Sequence, residues 1–324
     1  MLYEPKYVCY NEAGFQMILK AAYFRGRKGA RPRPADPPVS PDRRRRQRLF
    51  GVSGGPLEMK DGQGMKYVSI TFDDGREDNY TVAFPILKKL GFAATVYCTT
   101  GFIDGTWPKK DDWYSAESAL NAAQIRELQD SGWEIALHGD KHVAETEDTR
   151  TALRKLAEWG VLKKPTGMSL PNSLNESGVR EIMQEFVPDT ISYLRGGRAR
   201  DTKKLSSKIL FALYTFLKMQ SAYNLFNKPN VVYLQNAMPS LIPSVVIRLR
   251  DEPEMIIKFI KNLPDGAWVS LMLHSIHPDE KVYQHDPWNW PVSRFQRLCS
   301  GLQELNREGS AKVLPMIDVT RLMK

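Results

Sequence analysis

Two aspartates stand side by side in KYVSITFDDGREDN (66–79), straight after an alternating run of β-branched and aromatic residues that reads as a buried strand. A strand ending in Asp73 and Asp74 concentrates negative charge at one point, although Asp-Gly by itself is also a common turn dipeptide. Further along, IALHGDKHV supplies His138 and His142, and VSLMLHSIHP supplies His274 and His277. The chain has five histidines, and four of them follow strand-like runs. His138 and His142, in a turn or the first turn of a helix, can present both imidazoles to one metal ion. One carboxylate of the pair then completes a two-His, one-carboxylate set. Three protein ligands leave a position for water, the mark of a catalytic metal. The other aspartate, beside metal-bound water, suits a general base. Non-haem iron oxygenases use the same ligand types, but a spare carboxylate and a third-strand histidine suit acid–base hydrolysis better.

The elements that must position these residues alternate along the chain. Strands are expected at KYVSITF, AATVYCT, WEIALHG, TGMSL, TISYL, SVVIRL, AWVSLML and AKVLPMI. Helices are expected near 77–90, 121–131, 148–159, 175–186, after Pro253 and near 292–306. Repeated strand–helix units imply parallel strands covered by crossover helices. Seven or eight such units point to a closed or nearly closed β/α barrel, with its chemistry at the strand ends. The longest apolar stretch, ILFALYTFL at 209–217 between Lys208 and Lys218, suits a buried helix or an interfacial helix touching a lipid-linked substrate. No run is long enough for a membrane-spanning helix.

The formal charge of +9 over 324 residues is unevenly spread. Residues 1–64 carry +7, leaving +2 for residues 65–324, so the charge gives no reason to expect nucleic acid on the barrel. Two parts are expected: a basic Pro/Arg-rich extension over 1–64, disordered on its composition, and the barrel over 65–324. Met65 directly precedes the first strand, so an alternative start there fits the composition equally well. Residues 1–24 show no secretory apolar region. Cys9, Cys98 and Cys299 are scattered without a CxxC, which fits reduced thiols and a cytoplasmic protein.

Taken together, TFDDG (71–75), HGDKH (138–142) and LMLH (271–274) resemble three signature motifs of the polysaccharide deacetylases, carbohydrate esterase family four (the NodB-homology domain), in the family's order. The resemblance covers about residues 66 to 318. It implies an α/β fold, a distorted (β/α)7 barrel, and metal-dependent removal of acetyl groups from sugars. It also implies Asp73 as general base, Asp74, His138 and His142 as metal ligands, and His274 as the general acid that protonates the leaving amine. Zn2+ is the expected ion, with Co2+, Ni2+ or Mn2+ as substitutes.

The sequence departs from that pattern at SLPNS, where Ser169 stands in place of the family's arginine and Asn172 in place of an aromatic residue. The residue after Pro171 can still offer an amide N–H to an oxyanion. Arg195 or Arg198, after the next strand, is expected to replace the missing cation. The family's Asp-Trp pair is not visible, and Asp201 is the nearest substitute. Trp107, Trp113, Trp288 and Trp290 sit in loops where indole rings could stack on sugar. His277 and His285 carry no assigned role. The expected activity is removal of acetyl from an N-acetylated saccharide. A cytoplasmic enzyme would act on a precursor such as a sugar nucleotide, a short oligomer or a lipid-linked saccharide. The alternatives are hydrolysis of a C–N bond in a small nitrogenous metabolite, and a barrel that only binds glycan.

Overall fold

A computed structural model describes residues 64–107, 118–171, 176–281 and 288–323. The basic extension over 1–63, Trp113, Asn172 and His285 lie outside the described residues.

Five strands run in sequence order through the first half: β1 (Lys66–Phe72), β2 (Thr95–Cys98), β3 (Glu134–Leu137), β4 (Thr166–Ser169) and β5 (Ile191–Arg195). Each pairs in parallel with the next. Their crossovers carry α1 (Phe84–Lys89), α2 (Thr100–Ile103), α3 (Ala122–Asp130), α4 (Thr146–Glu158) and α5 (Glu176–Phe186). A short π-helical turn over Asn79–Ala83 leads into α1. Asn121 caps α3 through the backbone N–H groups of Ala123 and Gln124, while Gln124 reaches back to its N–H, a reciprocal capping box that fixes where the helix begins.

The second half closes the sheet. Strand β8 (Ala267–Leu273) lies parallel to β1 from Trp268 to Leu273. The segment 242–247, which contains β7 (Val245–Val246), bridges the remaining gap. Ile242 donates its N–H to Leu194 O at 2.8 Å and accepts from Gly196 N–H at 2.9 Å. On the other side Val245 and Val246 pair with Leu271 and Met272. The ring therefore runs β1–β2–β3–β4–β5–β7–β8–β1, seven parallel members, a distorted (β/α)7 barrel.

All eight expected strand segments contain a strand, but SVVIRL keeps only Val245–Val246 and the last segment also ends early. Only Ala311–Val313 (β11) of AKVLPMI is strand; from Met316 the chain turns into α10 (Met316–Thr320). The N–H of Met316 donates to Thr95 Oγ1 and that of Ile317 to Glu134 Oε2, both at 2.9 Å. Met316 and Val319 of α10 pack with Tyr97, Tyr193 and Trp268 in one cluster, so α10 plugs the barrel floor. Two further pairings carry no strong sequence signal. β6 (Val231–Tyr233) runs antiparallel to the start of β8, and β9 (Ser275–His277) pairs with β10 (Asn289–Pro291). Helices α6 (Leu205–Leu217) and α7 (Gln220–Asn227) form a hairpin between β5 and β6; α8 (Pro253–Lys261) packs on α9 (Val292–Arg307), and α9 on β11.

Candidate active site

Alternate residues of a strand face opposite sides of the sheet. In β1, Val68, Ile70 and Phe72 join the main hydrophobic core, leaving Ser69 and Thr71 to the barrel interior. Asp73 continues that inner set one step past the strand. The same alternation gives Glu134, Ala136 and His138 from β3, Gly167 and Ser169 from β4, Tyr193 and Arg195 from β5, and Trp268, Ser270, Met272 and His274 from β8. Asp73, His138, Arg195 and His274 thus form the top layer at the strands' C-terminal ends, and all four are buried.

Asp74 would point outward by this rule. Its backbone is left-handed, φ +77°, and Gly75 follows at φ +78°. A Cβ at Gly75 would lie 2.9 Å from Ile103 Cδ1, so only glycine fits this turn. The reversal brings Asp74 Oδ1 to 3.5 Å from His138 Nε2 and 3.6 Å from His142 Nε2, while the two imidazole nitrogens are 3.1 Å apart. A tetrahedral ion about 2.0–2.1 Å from its ligands separates them by about 3.3 Å. The three donors fit such an ion without rearrangement.

The HGDKH turn is built to hold this geometry. Asp148 accepts the N–H groups of Asp140 and Lys141, each at 2.7 Å. Gly139 has φ +80°, and a Cβ there would meet Asp148 Oδ2 at 2.3 Å. His138 Nδ1 lies 2.9 Å from Ser169 O. That carbonyl can only accept, so it fixes the proton on Nδ1 and leaves the Nε2 lone pair toward Asp74 and His142. Burial pulls His138 and His142 down to about 4, against the opposing pull of Asp74. Both are neutral near pH 7, the form that binds metal.

Each aspartate has its own guanidinium. Burial favours the neutral form of Asp74, but Arg76 and the surrounding imidazoles hold its pKa well below the carboxylate range. Arg76 donates to Asp74 Oδ2 through Nε at 3.0 Å and Nη2 at 2.9 Å, and to Ser275 Oγ at 2.6 Å. Asp73 Oδ1 accepts from Arg195 Nη2, and its Oδ2 lies 3.4 Å from Ser169 Oγ and 3.8 Å from His138 Nε2. The Arg195 guanidinium rests over the Tyr97 ring, 4.7 Å from its centroid. His274 is neutral as well, pulled to about 4 by burial against the attraction of Asp74 and Asp73. Its ring lies 4.6 Å from that of Trp288, and its Nδ1 is buried without a hydrogen-bond partner among the described residues.

Residues 60–185 match the family model described as polysaccharide deacetylase. The match is to a polysaccharide deacetylase domain and covers less than half of the chain. A curated relative, "Putative polysaccharide deacetylase YxkH" of Bacillus subtilis (strain 168), is 35% identical over 78 residues, which span 24% of this chain and 24% of that protein. Among solved structures, the chain is similar to a family 4 acetyl xylan esterase from Clostridium thermocellum in complex with a cobalt ion. There the identity is 14%, the TM-score 0.42, and the coverage 79% of this chain and 91% of that one. It is also similar to BA3943, a family 4 pseudoenzyme from Bacillus anthracis, at 12% identity and TM-score 0.42, covering 80% of this chain and 66% of that one.

The deacetylase-matched stretch contains Asp73, Asp74, His138, His142 and Ser169, whereas Arg195 and His274 lie beyond it. Ser169 and Arg195 are register partners on neighbouring strands. The guanidinium that meets Asp73 therefore comes from the next strand at the same height. Arg198 is engaged elsewhere, donating to Val246 O at 2.7 Å and lying over the Phe226 ring. Asp201 accepts the N–H of Lys203.

The aromatics divide. Trp107 stacks on His142, its ring 6.0 Å away. Trp288 is buried against His274, with Arg248 over its ring at 5.1 Å. Trp290 is a core residue, donating Nε1–H to Asp251 O at 3.2 Å. His277 lies in β9, partly buried.

Sequence reasoning missed the residues that tie the first motif to the last. Besides Arg76, Asp78 accepts the N–H of Ile276, and Asn79 Nδ2 donates to His274 O at 2.8 Å. The signal was present: polar residues in REDN directly after the carboxylate pair, where a solvated turn has no need to bury them.

Proposed function

We propose that this protein is a metal-dependent hydrolase that removes acetyl groups from an N-acetylated sugar or oligosaccharide. The observation that carries the reading is the compact set of Asp74, His138 and His142 donors beside a second aspartate with its own cation. A divalent ion held by these three, Zn2+ or a similar metal, would polarise the acetyl carbonyl and acidify a water molecule. Asp73 takes a proton from that water as its oxygen adds to the acetyl carbon. Arg195 and Ser169 hold Asp73 in place. As the C–N bond breaks, His274, neutral at rest, acts as the general acid by passing to the nitrogen the proton that Asp73 removed from the water, so that acetate and a free amine leave. Asn79, through the His274 carbonyl, and Trp288, against its ring, orient that histidine; Trp107 and Trp113 are candidates for stacking on the sugar, and the amide N–H of Asn172 for the oxyanion.

The test is acetate release from N-acetylated saccharides and sugar nucleotides, comparing chelated protein with protein given zinc or cobalt, and both with Asp73→Asn. Release that requires metal and Asp73 supports the reading. Bound metal without release from any acetylated sugar overturns it in favour of another amide substrate, and glycan affinity without turnover would mark a binding barrel.

A further inference from the structure

The α6–α7 hairpin inverts the usual relation of surface to core. Eight large hydrophobic side chains are exposed among the described residues, and six belong to this hairpin and its turn: Leu205, Ile209, Phe216, Leu217, Met219 and Leu225. Leu205 and Phe216 are 73% and 69% exposed. At 3.6 residues per turn, positions 205, 209, 212 and 216 fall within an arc of about 60°, one continuous apolar stripe. The opposite side anchors the hairpin: Tyr214, Tyr223 and Phe226 are buried in the main core, with Tyr214 packed edge-on against Tyr223. The stripe is therefore held outward by a rigid base.

Charge surrounds the stripe in one sign. Residues 202–250 contain no Asp or Glu and seven Lys or Arg. Since residues 65–324 together carry +2, the rest of that span carries −5, and the positive charge is local. Among the described residues, Lys203, Lys204, Lys208 and Lys228 have no acidic partner in an ion pair, while Lys218 pairs with Glu252 at 3.0 Å. Arg250 lies over the Phe216 ring, 5.8 Å away.

We infer that the exposed face of α6 docks on an anionic lipid bilayer, with Leu205, Ile209 and Phe216 entering the headgroup–acyl boundary and the flanking lysines meeting lipid phosphates. Apolar stripes flanked by Lys are the pattern of helices that lie in a membrane interface, and long lysine stems let the ammonium groups reach outward while the helix sinks. Each such lysine adds to the attraction of an anionic surface. A second copy of the chain is a poorer occupant, because a two-fold interface here would set lysines against lysines. No residue of this stripe belongs to the candidate site, and the inference stands independently of the reaction.

The test is co-sedimentation of the full chain with vesicles of phosphatidylcholine containing phosphatidylglycerol, against phosphatidylcholine alone. Two variants are compared with wild type, Ile209→Glu/Phe216→Glu and Lys203→Glu/Lys204→Glu/Lys208→Glu, all at exposed positions, with thermal melts to verify folding. Docking predicts that wild type pellets with the anionic vesicles and weakly or not at all with the neutral ones. Each variant then binds roughly a hundredfold more weakly. Wild type that stays in the supernatant overturns the inference. So do variants that pellet as wild type does, which would assign binding to the basic segment 1–64. A variant that changes the particle mass in light scattering instead makes the face a contact between copies.

Discussion

The barrel mouth and the α6–α7 hairpin are mirror images of one another. At the mouth, charged side chains are buried and each has a counterpart: Asp73 with Arg195, Asp74 with Arg76. On the hairpin, apolar side chains are exposed and Lys203, Lys204 and Lys208 have no acidic partner among the described residues. Folding alone favours neither arrangement. A buried ion pair repays its desolvation poorly, and an exposed apolar stripe forgoes burial it could have had. On the proposed readings, the mouth retains its charges because fixed dipoles and paired ions are what acid–base chemistry uses, and the hairpin retains its stripe because a surface that meets lipid cannot be hidden.

The sharpest way to break this contrast is at the mouth. Replacing Asp73 by Asn keeps the shape but removes the base. Acetate release is expected to fall by about a thousandfold or more, while metal content measured on the purified protein stays at the wild-type level. His138→Ala, in contrast, is expected to lose both. Equal metal loss in the two variants would mean that Asp73 belongs to the ligand set.

Removing Arg195 leaves Asp73 buried without its cation. Arg195→Met is expected to cost about 3–5 kcal/mol of stability, read from chemical denaturation, and to lower kcat more than it raises KM. Because Ser169 is the register partner of Arg195, the double variant Arg195→Met/Ser169→Arg moves the cation back one strand. Partial recovery of kcat is expected; none at all would show that the guanidinium must approach from β5.

Beneath the mouth, Glu134 is buried at the floor, where it accepts from Tyr193 OH at 2.9 Å, Thr95 Oγ1 at 2.8 Å and the Ile317 N–H. Burial pushes its carboxyl from 4.5 up to about 7, against those hydrogen bonds. The native state thus holds this proton more tightly than the unfolded chain. Its contribution to stability is complete below pH 4.5 and is lost as pH rises through about 7. The wild type is expected to lose about 3 kcal/mol from this group between those limits, and Glu134→Gln to flatten that part of the profile in melts taken across the range. The smallest effect belongs to the hairpin. Ile209→Glu/Phe216→Glu should change stability by no more than about 0.5 kcal/mol per site, whatever it does to vesicle binding. A larger loss would mean that the stripe is structural.

How much was legible depended on how local the cause was. The strand order, the period-two alternation and the motifs ending β1, β3 and β8 are written in contiguous residues, and eight strands could be located from them. The final segment was harder, because Met316 and Ile317 leave the strand to bond Thr95 and Glu134, more than 180 residues away in sequence. In the candidate site, the metal-binding types announced themselves by spacing. The arginine that faces Asp73 could be narrowed to Arg195 or Arg198 but not chosen, since both stand at the end of β5 and only the inward register of Arg195 separates them.

The sequence by itself determined the inventory: which strands end in carboxylate or imidazole, and that the chain alternates strand and helix. Those follow from side-chain type and period, which neighbours along the chain set. Only the tertiary structure decided how Asp74 turns back toward His138 and His142, which arginine each aspartate meets, and which face of α6 stays in water. Those depend on contacts between residues far apart in the chain, where backbone reversal, strand register and packing against a distant core select one partner among several of the same chemical type.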